Sequence, residues 1–162
     1  MNTSTPPGPV HVADLPWEEW SRGERFGSRV RRLGPSDPAH HVGVLIEELS
    51  PGRQSCPLHY HLLEEEHLYV LEGSVTLRLG AARHTLSAGD YVCFPAGQEV
   101  GHALVNEGSE PCRYLVIGEN NRNDVCVYPE SNKILVKSID ALYSRSGELD
   151  YWEGEDLAAP QA

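Results

Sequence analysis

His59 and His61 stand at the head of a seventeen-residue stretch, PLHYHLLEEEHLYVLEG (Pro57 to Gly73), that holds three histidines and four glutamates. On an extended chain, residues two apart leave the same face, so these two imidazoles can converge on one point and grip a metal ion. Glu66 follows within the same stretch and shares a strand face with Leu68 and Val70, while His67, Tyr69 and Leu71 take the other. A carboxylate on that apolar face costs on the order of several kcal/mol to bury alone, so it calls for a cation. His102 opens HALVN on a second apolar-lined face, with Leu104 and Asn106, and brings a third imidazole. Three neutral histidines and one carboxylate around a divalent ion leave roughly one net positive charge, and an octahedral ion keeps positions open for substrate or water. Glu64 and Glu65 are expected in a solvated acidic turn and His67 on the outer face.

Strands must position these groups. From Val42 to about Gly118 the chain runs through VGVLIEEL, HLYVLEG, SVTLRLG, YVCFP, HALVN and RYLVIG, each closed by Gly, Pro, Asn or Asp turn chemistry. Within VTLRL, Val75, Leu77 and Leu79 share one face and Thr76 and Arg78 the other, the period of a half-buried strand, with Arg78 as a solvated outward charge. Gly89-Asp90 makes a turn before a strand from Tyr91 to Phe94. Short strands at such regular spacing predict an all-β, antiparallel sandwich or barrel. The first forty residues carry six prolines with scattered charges and read as a tail followed by an arm, anchored on an apolar groove by Trp17 and Trp20. After Gly118 come a polar loop, VCVYP and KILVKS, then a short helix over Ile139 to Tyr143 with Ser138 as N-cap, and an acidic loose tail. The chain thus divides into an arm (1–40), a barrel core (41–118) and a C-terminal extension (119–162).

The stretch from Gly52 to Gly73 resembles the first motif of the cupin superfamily: a glycine, His-x-His, a glutamate and a glycine. GDYVCFPAGQEVGHALVN, Gly89 to Asn106, resembles the second: Gly, Pro-x-Gly, His and Asn. The gap between Gly73 and Gly89 matches that of small microbial members. Two departures lie in turns, where insertions are best tolerated: six residues rather than five between Gly52 and His59, and four rather than two between Gly97 and His102. By position the resemblance assigns the metal ligands to His59, His61, Glu66 and His102, the set the spacing selects. GERFGSRVRRLG, DVCVYPES and DYWEGE look further like a group of bacterial single-domain cupins labelled sugar-phosphate isomerase-like. The resemblance implies a jelly-roll cupin β-barrel with N- and C-terminal arms, and a homodimer paired through those arms.

Composition narrows the function classes. A net charge of −11, with two lysines, leaves no basic surface for a phosphodiester backbone, so no nucleic-acid partner is expected. No run of about 18 apolar residues exists to span a membrane, and MNTSTPPGPV has no basic-then-apolar leader, so a cytoplasmic address is expected. Cys56, Cys93, Cys112 and Cys126 form no CxxC pair and read as reduced core thiols. The expected function is a metal-dependent enzyme acting on a small polar molecule, in concrete form the isomerisation of a sugar or sugar derivative through a metal-stabilised enediolate. The alternatives are an Fe(II)-dependent dioxygenase and a non-catalytic metal-dependent binding module. One divalent ion is expected as cofactor, with Mn, Fe, Ni and Zn all compatible with the ligands. Tyr91 is the candidate acid or base, and Arg53, Gln98 and Glu99 are the candidates to line the entrance and bind substrate.

Overall fold

The computed structural model describes residues 8–34, 40–147 and 149–155; the tails expected at residues 1–7 and 156–162 lie outside the described residues. The N-terminal segment forms a hairpin of β1 (Glu18–Arg22) and β2 (Phe26–Arg32). The body follows as β3 (Val42–Leu49), β4 (Tyr60–His61), β5 (Glu66–Glu72), β6 (Ser74–Leu79), β7 (Ala82–Ser87), β8 (Tyr91–Phe94), β9 (His102–Val105) and β10 (Cys112–Glu119). The C-terminal segment adds β11 (Val125–Tyr128), β12 (Lys133–Val136) and β13 (Ala141–Ser144).

Every strand pair among the described residues is antiparallel. One sheet has the order β1-β2-β3-β10-β5-β8, a second β13-β12-β11-β4, and a third β7-β6-β9. Isolated bridges from Gln54 to Phe26 and Val105, and from His59 to His102, stitch the layers together. Inward-facing residues of the layers meet in one core that includes Leu49, Leu68, Val70, Leu77, Phe94 and Tyr114. Alternation explains the membership: Val75 and Leu77 of β6 are buried where Thr76 is not. On the outer face of the large sheet, Glu48 accepts from both Arg29 (2.7 Å) and Arg113 (2.6 Å) across β2, β3 and β10, and Arg113 reaches on to Glu72 at 3.0 Å. Such cross-strand opposite charges hold register as well as stability.

Three expectations change here. The N-terminal arm is built into the barrel wall, because β2 pairs with β3 from Arg29–Glu48 to Arg32–Leu45; Trp17 is held under the guanidinium groups of Arg29 (4.6 Å) and Arg31 (4.4 Å). Arg78 is not solvated: it pairs with Glu130, and its side chain is 16% exposed. The predicted helix over 139–143 is a 3-10 turn at Lys137–Ile139 followed by β13, with Val136 rather than Ser138 at the cap. The motif asparagine proves structural. Asn106 is fully buried, donates to the carbonyls of Leu49 (2.7 Å) and Glu110 (2.8 Å), and accepts from Gly108 N–H, so it closes the turn after β9.

Candidate metal centre and cavity

β4 and the segment before it deliver His59 and His61, β5 begins with Glu66, and β9 begins with His102. Backbone hydrogen bonds between His59 and His102, at 3.2 and 2.8 Å, lock these two histidines side by side. The four side chains converge: Glu66 Oε2 lies 3.0 Å from His102 Nε2, 3.7 Å from His61 Nε2 and 3.9 Å from His59 Nε2. Burial alone would push the Glu66 carboxyl up, but the hydrogen bond from His102 and the neighbouring His61, His102 and His59 bring it down to about 2. Burial holds His102 below its ordinary value, and Phe94 stacks on its ring at 3.8 Å and 9°.

Two of the imidazoles are fixed from behind. The Nδ1–H of His59 donates to the Pro57 carbonyl at 2.9 Å, and the Nδ1–H of His61 donates to Asp124 Oδ2 at 2.6 Å. With the proton held at Nδ1, each Nε2 presents a lone pair. Those lone pairs face the Glu66 carboxylate, acceptor against acceptor, an arrangement that a cation among them satisfies. The donor set therefore fits a divalent ion held by His59, His61, Glu66 and His102.

Asp124 is fully buried, and its other oxygen accepts from Leu63 N–H at 2.9 Å. Sequence reasoning did not single it out. Its only signal is a lone acid at the head of VCVYP, and its meaning appears once β11 pairs with β4 through Cys126–His61 and Val127–Tyr60. Glu64, expected in a solvated turn, is 5% exposed: it accepts from Asn121 N–H at 2.6 Å, lies 3.3 Å from His61 Nδ1 and pairs with Lys137. Glu65 is partly exposed and pairs with His67 at 3.0 Å.

Beside the centre lies a cavity of about 580 Å3 that His59, Glu66 and His102 help to line, a size that suits a small-molecule ligand. Its walls are mainly apolar, with Val30, Leu45, Leu68, Phe94, Leu104 and Val116 among them. Trp20 and Glu18, both exposed, stand at its rim. Arg32 is the sole guanidinium or ammonium group among the described lining residues, and it pairs with Glu18 at 3.2 Å.

The other sequence candidates lie elsewhere. Tyr91 is 60% exposed, is not among the cavity-lining residues, and its hydroxyl meets His67 Nδ1 at 2.7 Å. Arg53 is also absent from the lining; it donates to the carbonyls of Gly23 and Glu24 at 2.8 and 2.7 Å and so ties down the β1–β2 turn. Gln98 and Glu99 are exposed in the loop before β9 and do not line the cavity. Residues of β1 and β2, with Glu18, Trp20, Val30 and Arg32 among them, line the cavity instead. Glu65, His67 and Cys93 form a separate group on the opposite side of β5 with ligand-type atoms within 4.8 Å of one another, but both His67 nitrogens are already engaged, by Glu65 and Tyr91.

Residues 45–118 match the family profile described as a cupin domain. Among solved structures, the chain is similar to a sugar phosphate isomerase from a cupin superfamily of Silicibacter pomeroyi, with a TM-score of 0.75 and 25% identity over 89% of this chain and 98% of that one. It is similar also to a provisionally named sugar phosphate isomerase of Acidithiobacillus ferrooxidans, with a TM-score of 0.72 and 28% identity over 82% and 85% of the two chains. Among curated proteins it is 33% identical over 90 residues to the tetracenomycin polyketide synthase protein TcmJ of Streptomyces glaucescens, which covers 55% of this chain and 58% of the relative. The chain thus spans a little over half the length of that curated relative.

Proposed function

This chain carries a cupin domain over residues 45–118, and on that premise we propose that it is a metal-dependent enzyme that isomerises a neutral, oxygen-bearing small molecule with a largely apolar body. The observation that carries the reading is the junction of a three-histidine, one-glutamate cluster with a mainly apolar, carboxylate-bearing cavity. His59, His61, Glu66 and His102 would hold a divalent ion such as Mn, Fe, Ni or Zn, which would supply concentrated positive charge to polarise a ligand oxygen and acidify the C–H beside it. The protein's own contribution is orientation and exclusion. Asp124 and the Pro57 carbonyl hold the His61 and His59 rings in the tautomer that directs Nε2 inward, Phe94 supports His102, and the apolar walls keep water from competing for the ligand.

The names of the two structural relatives support isomerisation as the reaction type. The cavity argues against a phosphorylated form of the substrate, since Glu18, Glu19, Glu47 and Glu66 line it and its Arg32 is already paired; a dianion there meets like charge. An apolar-bodied ligand also agrees with the curated relative's place in a polyketide synthase. We further propose a homodimer, supported by β13, an edge strand that presents Leu142 and Tyr143 to solvent.

The test is elemental analysis of anaerobically purified protein, then a substrate screen over an oxygen electrode. One divalent ion per chain, lost in the His59→Ala/His102→Ala double variant, with turnover of neutral carbonyl or hydroxyl compounds and no oxygen uptake, is the expected result. Oxygen uptake matched to substrate loss would establish the dioxygenase in its place, and tight binding without turnover the binding module.

A further inference from the structure

Glu47 of β3 lies in register with Val30 of β2 on one side and Tyr114 of β10 on the other. All three line the cavity from the large-sheet wall. Behind the Glu47 carboxyl are two hydroxyls: that of Tyr114, a residue with no exposed surface, and that of Ser28, which is 7% exposed. Among the described residues neither hydroxyl makes a hydrogen bond of good geometry, but the Glu47 carboxyl is near enough for both to stabilise its charge, and both are sealed from solvent. Buried hydroxyls are nearly always partnered, and two whose polar neighbour is one carboxyl hold that carboxyl on the cavity wall, where a ligand can meet it. Burial pushes the Glu47 carboxyl up, while Ser28 and Tyr114 favour its charged form and Glu66 opposes it. Cys56, also on the cavity, has its thiol pushed up to about 12 by burial, so it adds no charge to this wall.

We propose that Glu47, backed by Ser28 and Tyr114, is the specificity-determining group of this cavity: it grips a hydroxyl on the apolar body of a neutral ligand whose other oxygen faces the His59, His61, Glu66 and His102 cluster. The inference rests on the reading of that cluster as the ligand's other anchor. It narrows the substrate class to molecules with two separated oxygens on one apolar frame. A monohydroxy analogue leaves the cavity side of the Glu47 carboxyl unmatched in a desolvated wall, a penalty that sharpens selection well beyond what apolar contact achieves.

Two matched probes test this by calorimetry on the full chain with its metal content measured: 2,6-dihydroxynaphthalene and 2-naphthol. The wild type should bind the dihydroxy compound about tenfold more tightly. Glu47→Gln, which keeps a donor and an acceptor, should retain most of that preference, and Glu47→Leu should abolish it. Tyr114→Phe should weaken it while leaving metal content unchanged. Equal affinity for the two probes in the wild type, no binding of either, or a preference that survives Glu47→Leu would overturn the proposal; the wild-type comparison decides even where a variant fails to fold. A metal-loaded chain without discrimination sinks this inference alone, and a discriminating chain without metal sinks the metal reading alone.

Discussion

Asp124 acts through His61 and not on any ligand. Its two oxygens clamp the His61 Nδ1–H and the Leu63 N–H, so the ring orientation and the β4 backbone are set by the same carboxylate. Asp124→Asn should therefore lower metal affinity by about 10–100-fold, read by competition with a chromophoric chelator, while far-ultraviolet circular dichroism stays unchanged. Glu47 gives a second prediction, on pH. Its folded pKa is raised above the unfolded value, so the folded state holds the proton more tightly and stability falls as pH rises from the unfolded pKa through the folded one. Glu47→Gln carries no such cost. Its melting temperature relative to wild type should rise between pH 4 and pH 7, and a difference independent of pH would contradict the buried-carboxyl assignment.

At the scale of elements, the β5–β6 connection turns on Gly73. Its φ is +79°, and a Cβ there would lie 2.7 Å from the Pro111 carbonyl oxygen. Gly73→Ala should destabilise by about 1–3 kcal/mol in urea denaturation. Gly52, with φ of +76° and nothing within 4 Å of a Cβ, should cost less, because only the backbone strain remains. The elements legible in the sequence were those whose strand period and turn residues agree locally. Thus β6, β8 and β9 formed where VTLRL, the Gly89-Asp90 turn and HALVN placed them, and the convergence of His59, His61, Glu66 and His102 was legible in their spacing because strand alternation fixes their faces. What stayed hidden depends on pairing between distant segments. The β1–β2 hairpin has an exposed outer strand rich in charge, which reads locally as an arm and becomes wall only against β3. Asp124 meets His61 across 63 residues, and Glu47 sits within a strand whose neighbours decide that its carboxyl faces a cavity. Tyr91 shows the converse: its strand is legible in the sequence, but its place outside the cavity lining appears only once β8 pairs with β5 through Tyr69–Tyr91.

At the scale of the molecule, the centre is assembled from far more of the chain than its two motifs. A fragment limited to residues 41–118 omits β1 and β2, which line one side of the cavity, and β11, the partner strand of β4. Such a fragment should lose bound metal by elemental analysis and gain exposed apolar surface, detectable by dye binding, even where strand content survives. The homodimer proposal predicts a mass of twice the 17.9 kDa chain in sedimentation equilibrium, and Leu142→Asp with Tyr143→Asp on β13 should shift it to the monomer. Trp20 has a photophysical consequence. It stands at the cavity rim, 40% exposed, whereas Trp17 is pinned beneath two arginines and Trp152 lies near the C-terminus, 57% exposed. Its indole emission is then a native optical reporter of what enters the barrel, and Trp20→Phe would separate that signal from the other two without any attached dye.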